Sequence, residues 1–296
     1  MKTVLLTGAG GFTGRYAIAD LQTHGYRVVG LSSSAAGAYK TIPCDLTDAA
    51  AVHEAVKSVA PDFVLHLAGL AFVAHADEQA FYQVNLFGTQ NLLQALADLD
   101  KPVKKIVLAS SANVYGSPER EVLDEGLCPA PVNHYAMSKL AMEHMARTWF
   151  DRLPVVIARP FNYTGMGQDE KFLVPKIVSH FRRGAKLIEL GNIDVERDFS
   201  DVRMVADVYR RLLESAVSAT TLNVCSGTVW SLKDVLAMME KIAGYDIEVR
   251  VNPDFVRANE LKHLQGDARR LTAAIGPLNN FPLQETLSWM YSGTGG

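Results

Sequence analysis

The chain has 296 residues, 48% of them apolar and 21% charged, with a formal net charge of −3. That is ordinary globular composition, with the length of one large domain or a domain and a half. It supplies no global field for nucleic acid or an anionic membrane, so an anionic ligand must be held by local positive groups.

Cys44, Cys128 and Cys225 lie far apart with no CxxC pair, which excludes a disulfide scaffold and a recognisable zinc site and fits a reducing compartment. The first apolar run, Val4-Leu5-Leu6, is too short for a signal-peptide core, and no stretch approaches bilayer-spanning length. A soluble, cytoplasmic protein is expected.

In chain order, residues 2–7, 27–31, 63–67, 105–109 and 155–159 predict strands. Each is short, apolar on both faces and followed by a turn or helix, as in a buried parallel sheet. Between them, 14–23, 49–59, 82–99 and 135–150 predict helices. Repeated βα units imply a doubly wound α/β fold with right-handed crossovers. After Arg159 the rhythm breaks. A helix near 173–183, a strand at 222–225, a helix at 232–243 and an irregular C-terminus are expected. The expected division is a dinucleotide-binding domain at 1–160, with about 192–226 adding late sheet elements, and a smaller interleaved substrate region at 161–191 and 227–296.

Gly8-Ala9-Gly10-Gly11-Phe12-Thr13-Gly14 follows the first strand and opens a helix with GxxGxxG spacing. Gly8 allows the tight turn, Gly11 lets a pyrophosphate approach the backbone, and Gly14 permits close helix–strand packing. The helix N-terminus, with Phe12 and Thr13, supplies N–H donors and a favourable dipole. This is the phosphate-binding corner of a Rossmann fold. The second strand ends in Leu31-Ser32-Ser33-Ser34, without the Asp or Glu that usually meets an NAD ribose. Ser32 and its neighbours, with Arg15, could accept a 2′-phosphate, which favours NADP(H) over NAD(H). Asp45 and Leu46 are placed for the adenine, although Asp45 could equally be a helix cap. Leu67, Ala68 and Gly69 end a strand where small residues let a cofactor pass.

Tyr135 and Lys139 stand four residues apart, on one face of a helix. An ammonium nearby favours the phenolate and lowers the tyrosine pKa. Such a tyrosine can protonate a carbonyl oxygen, and Lys139 can also hold a cofactor ribose. Ser110-Ser111-Ala112-Asn113-Val114-Tyr115-Gly116 sits at a strand's carboxyl end, where open α/β sheets bind ligands.

In combination these motifs resemble the extended short-chain dehydrogenase/reductase family, along nearly the whole chain. The resemblance makes Tyr135 the general acid, Lys139 its partner and ribose ligand, Ser111 the carbonyl-binding hydroxyl, and Asn85 a brace for the active-site strands. Asn113 occupies a position that is acidic in related 4,6-dehydratases and a cysteine in an epimerising relative, so hydride and proton transfer alone remain.

The resemblance extends to substrate. Asn162, in Ala158-Arg159-Pro160-Phe161-Asn162, would face it, as would Val73. Residues 171–177 (KFLVPKI) match a guanosine-enclosing stretch and would bring Leu173 and Lys176 to the nucleotide. Arg197, in the segment 191–199, would take diphosphate or sugar. Arg257 would meet phosphate bidentately and Glu260 the ribose or guanine. Met204 departs from the family pattern, which has a helix-capping Asp there.

The implied reaction is NAD(P)H-dependent reduction of the C4 ketone of GDP-4-keto-6-deoxy-D-mannose to GDP-D-rhamnose. Alternatives are the C4 epimer, a GDP-6-deoxytalose, a 4-epimerase with retained NAD, and a non-catalytic dinucleotide sensor. Relatives pair the two helices at 82–99 and 135–150 in a four-helix bundle, so Leu86, Leu93, Met142, Met145 and Trp149 predict a homodimer.

Overall fold

The computed structural model describes residues 1–33, 40–71, 77–118, 120–255 and 262–293. The first half runs β1 (Thr3–Thr7), α1 (Phe12–Thr23), β2 (Arg27–Ser32), β3 (Thr41–Pro43), α2 (Ala49–Val59), β4 (Phe63–His66), α3 (Glu78–Tyr82), a π-helical segment (Gln83–Gly88), α4 (Thr89–Ala97), β5 (Lys105–Ala109), β6 (Val122–Leu123), α5 (His134–Arg147) and β7 (Val155–Pro160). There follow β8 (Asn162–Thr164), α6 (Leu173–Arg182), β9 (Leu187–Leu190), β10 (Glu196–Asp201), α7 (Val202–Glu214), β11 (Thr220–Val224), β12 (Val229–Ser231), α8 (Leu232–Ala243), β13 (Glu248–Val251), β14 (His263–Gly266), α9 (Arg269–Ile275) and α10 (Leu283–Ser292).

Seven parallel strands stand in the order β11-β7-β5-β4-β1-β2-β3. β4 and β5 are buried almost throughout, which explains their continuous apolar runs. Helices α1 and α7 cover one face through Ile18, Leu21, Val205 and Leu212. The other face packs α2, α4 and α5 through Val52, Leu92 and Met142. From β3 at one edge the chain returns to β4, on the opposite side of β1. That reversal opens a crevice beyond the carboxyl ends of β1 and β4, the place where such sheets bind ligands. This doubly wound Rossmann sheet is the expected one.

The later chain builds a smaller layer. Helices α6, α8 and α10 close a second core around Ile177, Phe181, Val235, Met239 and Leu287. β9 pairs with β13. A further sheet, β12-β10-β14-β6 with β8 on β10, takes strands from before and after α5 and so knits the layer to the Rossmann sheet. No described helix is long and apolar enough to cross a membrane.

Several expected elements are corrected. The helix expected at 82–99 is broken by the π-helical turn that carries Asn85, a distortion common at functional sites. The C-terminus is not irregular, because α9 and α10 pack Leu271 and Leu287 into the two cores. α7 was not among the expected elements. Its N-cap is Asp201, which accepts from the Arg203 amide, while Met204 is buried in the core. The missing Asp at 204 therefore removes no cap. Asp48 caps α2, not Asp45.

Candidate active site

The glycine loop has the shape a pyrophosphate requires. Gly8 adopts φ +71°, and a Cβ there would stand 2.7 Å from the Ala68 amide nitrogen. A Cβ on Gly14 would stand 2.4 Å from the Gly8 carbonyl oxygen and 2.7 Å from that of Ala9. Bare backbone thus brings β1, the first turn of α1 and the end of β4 together. Gly11 is the N-cap of α1 with no capping side chain, which leaves the N–H groups of Phe12, Thr13 and Gly14 without intrahelical partners. That cradle, which a Cβ would fill, fits the diphosphate of a nicotinamide dinucleotide.

Around it, Ser32 ends β2 half-buried and Ser33 is exposed. Arg15, at the first turn of α1, donates from Nη2 to the Gly167 carbonyl at 2.9 Å. Asp45 accepts from the amide and hydroxyl of Thr47 at 2.9 and 2.8 Å, closing a turn, and the Leu46 carbonyl accepts from Asn91. Leu67 and Ala68 are half-buried beside Gly8, and Gly69 is exposed. A Cβ on Gly69 would meet Asn85 Oδ1 at 2.8 Å and Lys139 Nζ at 3.1 Å. Gly69 is therefore bare because the two side chains converge there.

The expected catalytic residues do come together. Asn133 caps α5 by accepting from the Ala136 amide, which puts Tyr135 in the helix's first turn. Ser111 lies near enough to the Tyr135 hydroxyl to pull its pKa down, and its Oγ accepts from the Asn113 amide at 3.2 Å. Lys139 donates to the Ala109 carbonyl at 2.8 Å. Asn85 braces the site as expected: it pairs with both backbone groups of Leu70 and donates to Ser138 at 3.0 Å.

One expectation fails. Tyr135 is not lowered by the ammonium. Burial pushes it up to about 12, against a smaller pull from Ser111. Burial draws Lys139 down to about 8, while Glu143 pulls it up. At neutral pH the pair is therefore a protonated phenol beside a mostly protonated amine.

Asn113 is half-buried in the short turn after Ser111, and Asn162 stands exposed at the start of β8. The other substrate candidates lie on the smaller layer. Leu173 opens α6 and packs on its core. Lys176 donates to the Glu189 carbonyl at 2.8 Å and lies 4.4 Å from the centre of the Phe255 ring. Arg197 on β10 donates to the carbonyls of Glu196 and Lys262. Val73, Arg257, Glu260 and Ser34 lie outside the described residues.

Sequence reasoning missed Tyr163. Its ring stacks on Phe12 and its hydroxyl meets Thr13 Oγ1 at 2.8 Å, so β8 is joined to the glycine loop. It also missed His66, fully buried between Thr7 and Thr89 at 2.6 and 2.8 Å and pushed down to about 3 by burial. Neither residue belongs to a short motif, and only the fold brings their partners together.

Fold and site together define an oxidoreductase that uses a nicotinamide dinucleotide. The chain belongs to the NAD-dependent epimerase/dehydratase family, whose profile matches residues 4–225. It is 36% identical over 274 residues to a GDP-6-deoxy-D-talose 4-dehydrogenase of Aggregatibacter actinomycetemcomitans, covering 92% of this chain and 91% of that one. It is 35% identical over 238 residues to a GDP-6-deoxy-D-mannose reductase of Pseudomonas aeruginosa, covering 77% and 78%. Among solved structures, RMD from Pseudomonas aeruginosa, complexed with NADPH, superposes with a TM-score of 0.87 at 30% identity over 99% and 97% of the two chains.

Proposed function

We propose that the enzyme reduces the C4 ketone of GDP-4-keto-6-deoxy-D-mannose to GDP-D-rhamnose in the cytoplasm. The observation that carries this reading is a buried, protonated Tyr135 near Ser111, with Lys139 one turn on and the amide Asn113 where elimination would need a carboxylate. The nicotinamide, when bound, supplies the hydride. Tyr135 gives its hydroxyl proton to the ketone oxygen, and Ser111 holds that oxygen by a hydrogen bond. The Lys139 ammonium offsets the charge left on the phenolate and binds the cofactor ribose. Gly8, Gly11, Gly14, Phe12 and Thr13 hold the diphosphate, Ser32 and Asp45–Leu46 the adenosine half, and Leu67–Gly69 its passage past β4. Asn162, Leu173, Lys176, Arg197, Arg257, Glu260 and Val73 are assigned to the sugar nucleotide. The serines that end β2, without a carboxylate, and the NADPH bound by RMD both favour NADPH.

A second reading, the C4 epimer GDP-6-deoxy-D-talose, is favoured by the relative that names it, which aligns over the larger share of the chain. One experiment decides. The protein is mixed with GDP-4-keto-6-deoxy-D-mannose and NADPH, then NADH, absorbance is followed at 340 nm, and the product is identified by NMR. Oxidation to a single GDP-6-deoxyhexose is expected, and its C4 configuration separates the two readings. If no coenzyme is oxidised, the assignment fails, and a 4-epimerase carrying tightly bound NAD is tested next.

A homodimer through the α4 and α5 region belongs to the same reading, with a different surface from the expected one. Leu93, Met142 and Trp149 are buried in the protomer's own core, and Leu86 and Met145 pack against it. What that region leaves outside is Phe87, 46% exposed, and Met137, 40% exposed. Light scattering at micromolar concentration should give the dimer mass, and Phe87→Glu should halve it. A monomer mass for the unmodified protein would end this proposal.

A further inference from the structure

Residues 135, 139 and 143 recur every four positions along one face of α5, and all three grip the carboxyl end of β5. Tyr135 meets Ser111, Lys139 donates to the Ala109 carbonyl, and Glu143 Oε1 accepts from the Ser110 hydroxyl at 2.6 Å. The proposed chemistry uses the first two contacts and leaves the third without a role.

Glu143 is wholly buried and clamped from its far side. Arg159 on β7 donates from Nε at 2.8 Å to Oε1 and from Nη2 at 2.6 Å to Oε2. Arg147 adds a longer contact of 3.4 Å from the half-exposed side of the helix. The Arg159 guanidinium lies 4.8 Å from the centre of the Tyr115 ring, and its Nη1 is buried with no hydrogen-bond partner among the described residues. A buried ion pair is a weak source of stability, because desolvation cancels much of the attraction and apolar replacements are often as stable. A charge retained here is better explained by what it holds. Ser110, its third partner, adjoins Ser111.

We propose that Glu143 is a positioning residue: it fixes the Ser110–Ser111 tip of β5 against α5 and supplies the counter-charge to the Lys139 ammonium one turn away. The proposal rests on the reading of Ser111, Tyr135 and Lys139 as the catalytic group. The described titratable groups that interact with Lys139 are His66 from β4 and Glu143 from its own helix, with Tyr135 one turn before it on that helix. β5 offers the Ala109 carbonyl and the π-helical segment the Asn85 amide, both neutral. With His66 held neutral and Tyr135 protonated, Glu143 is the negative charge among them. It raises Lys139 while burial lowers it. Removing it lets the ammonium be lost at lower pH.

The test is kcat against pH, with KM for NADPH and the melting temperature, for four proteins: the unmodified enzyme, Glu143→Gln, Ser110→Ala, and the charge-balanced double variant Glu143→Gln/Arg159→Gln. The unmodified enzyme should lose kcat as pH rises through about 8. In Glu143→Gln that falling limb should move about one pH unit toward acid, the shift expected of one lost opposite charge, and in the double variant it should move the same way by less, because the opposing Arg159 charge is lost with it. Ser110→Ala keeps the ion pair, so its limb should hold while kcat falls roughly tenfold through misplacement of Ser111. If Glu143→Gln does not fold, the double variant and Ser110→Ala carry the test. A purely structural Glu143 would give a double variant whose pH profile overlays that of the unmodified enzyme and a Ser110→Ala with full kcat, which overturns the proposal. Tyr135→Phe in the same assay separates the two readings. Retained turnover there sinks the catalytic group itself, whereas lost turnover beside unmoved Glu143 and Ser110 results sinks the positioning role alone.

Discussion

Tyr135→Phe should lower kcat by roughly 100- to 10,000-fold, the usual contribution of a positioned general acid, while KM for the sugar nucleotide and the melting temperature stay close to those of the unmodified enzyme. The substitution deletes one oxygen and keeps the ring that packs 6.0 Å from Phe81. Ser111 retains the Asn113 amide as a partner, so no buried hydroxyl is orphaned. Loss therefore falls on proton transfer and not on folding or ground-state binding. Single-turnover rates at pH 7, read beside a thermal melt, check it. If kcat stayed within tenfold, Tyr135 could not be the proton donor, and a dinucleotide-sensing protein on the same fold would become the better account.

How the site is assembled decided how much of it could be read in advance. GxxGxxG, YxxxK and the serine at the end of β5 are local patterns whose geometry follows from one turn or one strand–loop–helix unit. Gly8, Gly14, Ser111, Tyr135 and Lys139 accordingly stand where sequence reasoning put them. The buried parallel strands were equally legible, because apolar residues on both faces leave few other folds.

Residues whose roles depend on distant partners were not legible. Tyr163 reaches Thr13 across 150 positions, and Arg159 meets Glu143 from another strand. Glu143 did carry a signal, since its spacing continues the interval of Tyr135 and Lys139, but a buried carboxylate cannot be told from a solvated one by spacing. The Tyr135 expectation erred because proximity of an ammonium was weighed without burial, which dominates inside the fold. α7 was missed for another reason. Its apolar positions Val202, Val205, Val208, Tyr209 and Leu212 have helical spacing, yet the segment before it, 191–199, was read as a ligand motif and its period was not followed onward. Lys176 and Arg197 sit on the layer where a sugar nucleotide is proposed, but their heads are held by backbone carbonyls. A ligand would have to share or displace those contacts.

Gly14→Ala should weaken NADPH binding by roughly 100-fold, even though alanine is the better helix former. The added Cβ would stand 2.4 Å from the Gly8 carbonyl oxygen, 2.7 Å from the Ala9 oxygen and 2.9 Å from the Ala9 carbonyl carbon. All three are backbone atoms of the loop itself, so no side chain can swing aside to relieve the contact. Relief comes only from moving α1 off β1, which costs about 3 kcal/mol at the upper end for overpacking. The same movement withdraws the helix's first-turn N–H groups from the place where the diphosphate would sit. Full transfer of that cost to cofactor binding converts to the stated loss. The alternative is that the cost falls on folding, which a drop in the melting temperature of the cofactor-free protein would reveal. Quenching of tryptophan fluorescence by NADPH gives the Kd, and the thermal melt gives the stability. A Kd and melting temperature both equal to those of the unmodified enzyme would mean that the loop does not need the close packing that Gly14 allows, and the assignment of this corner as the diphosphate seat would have to be given up.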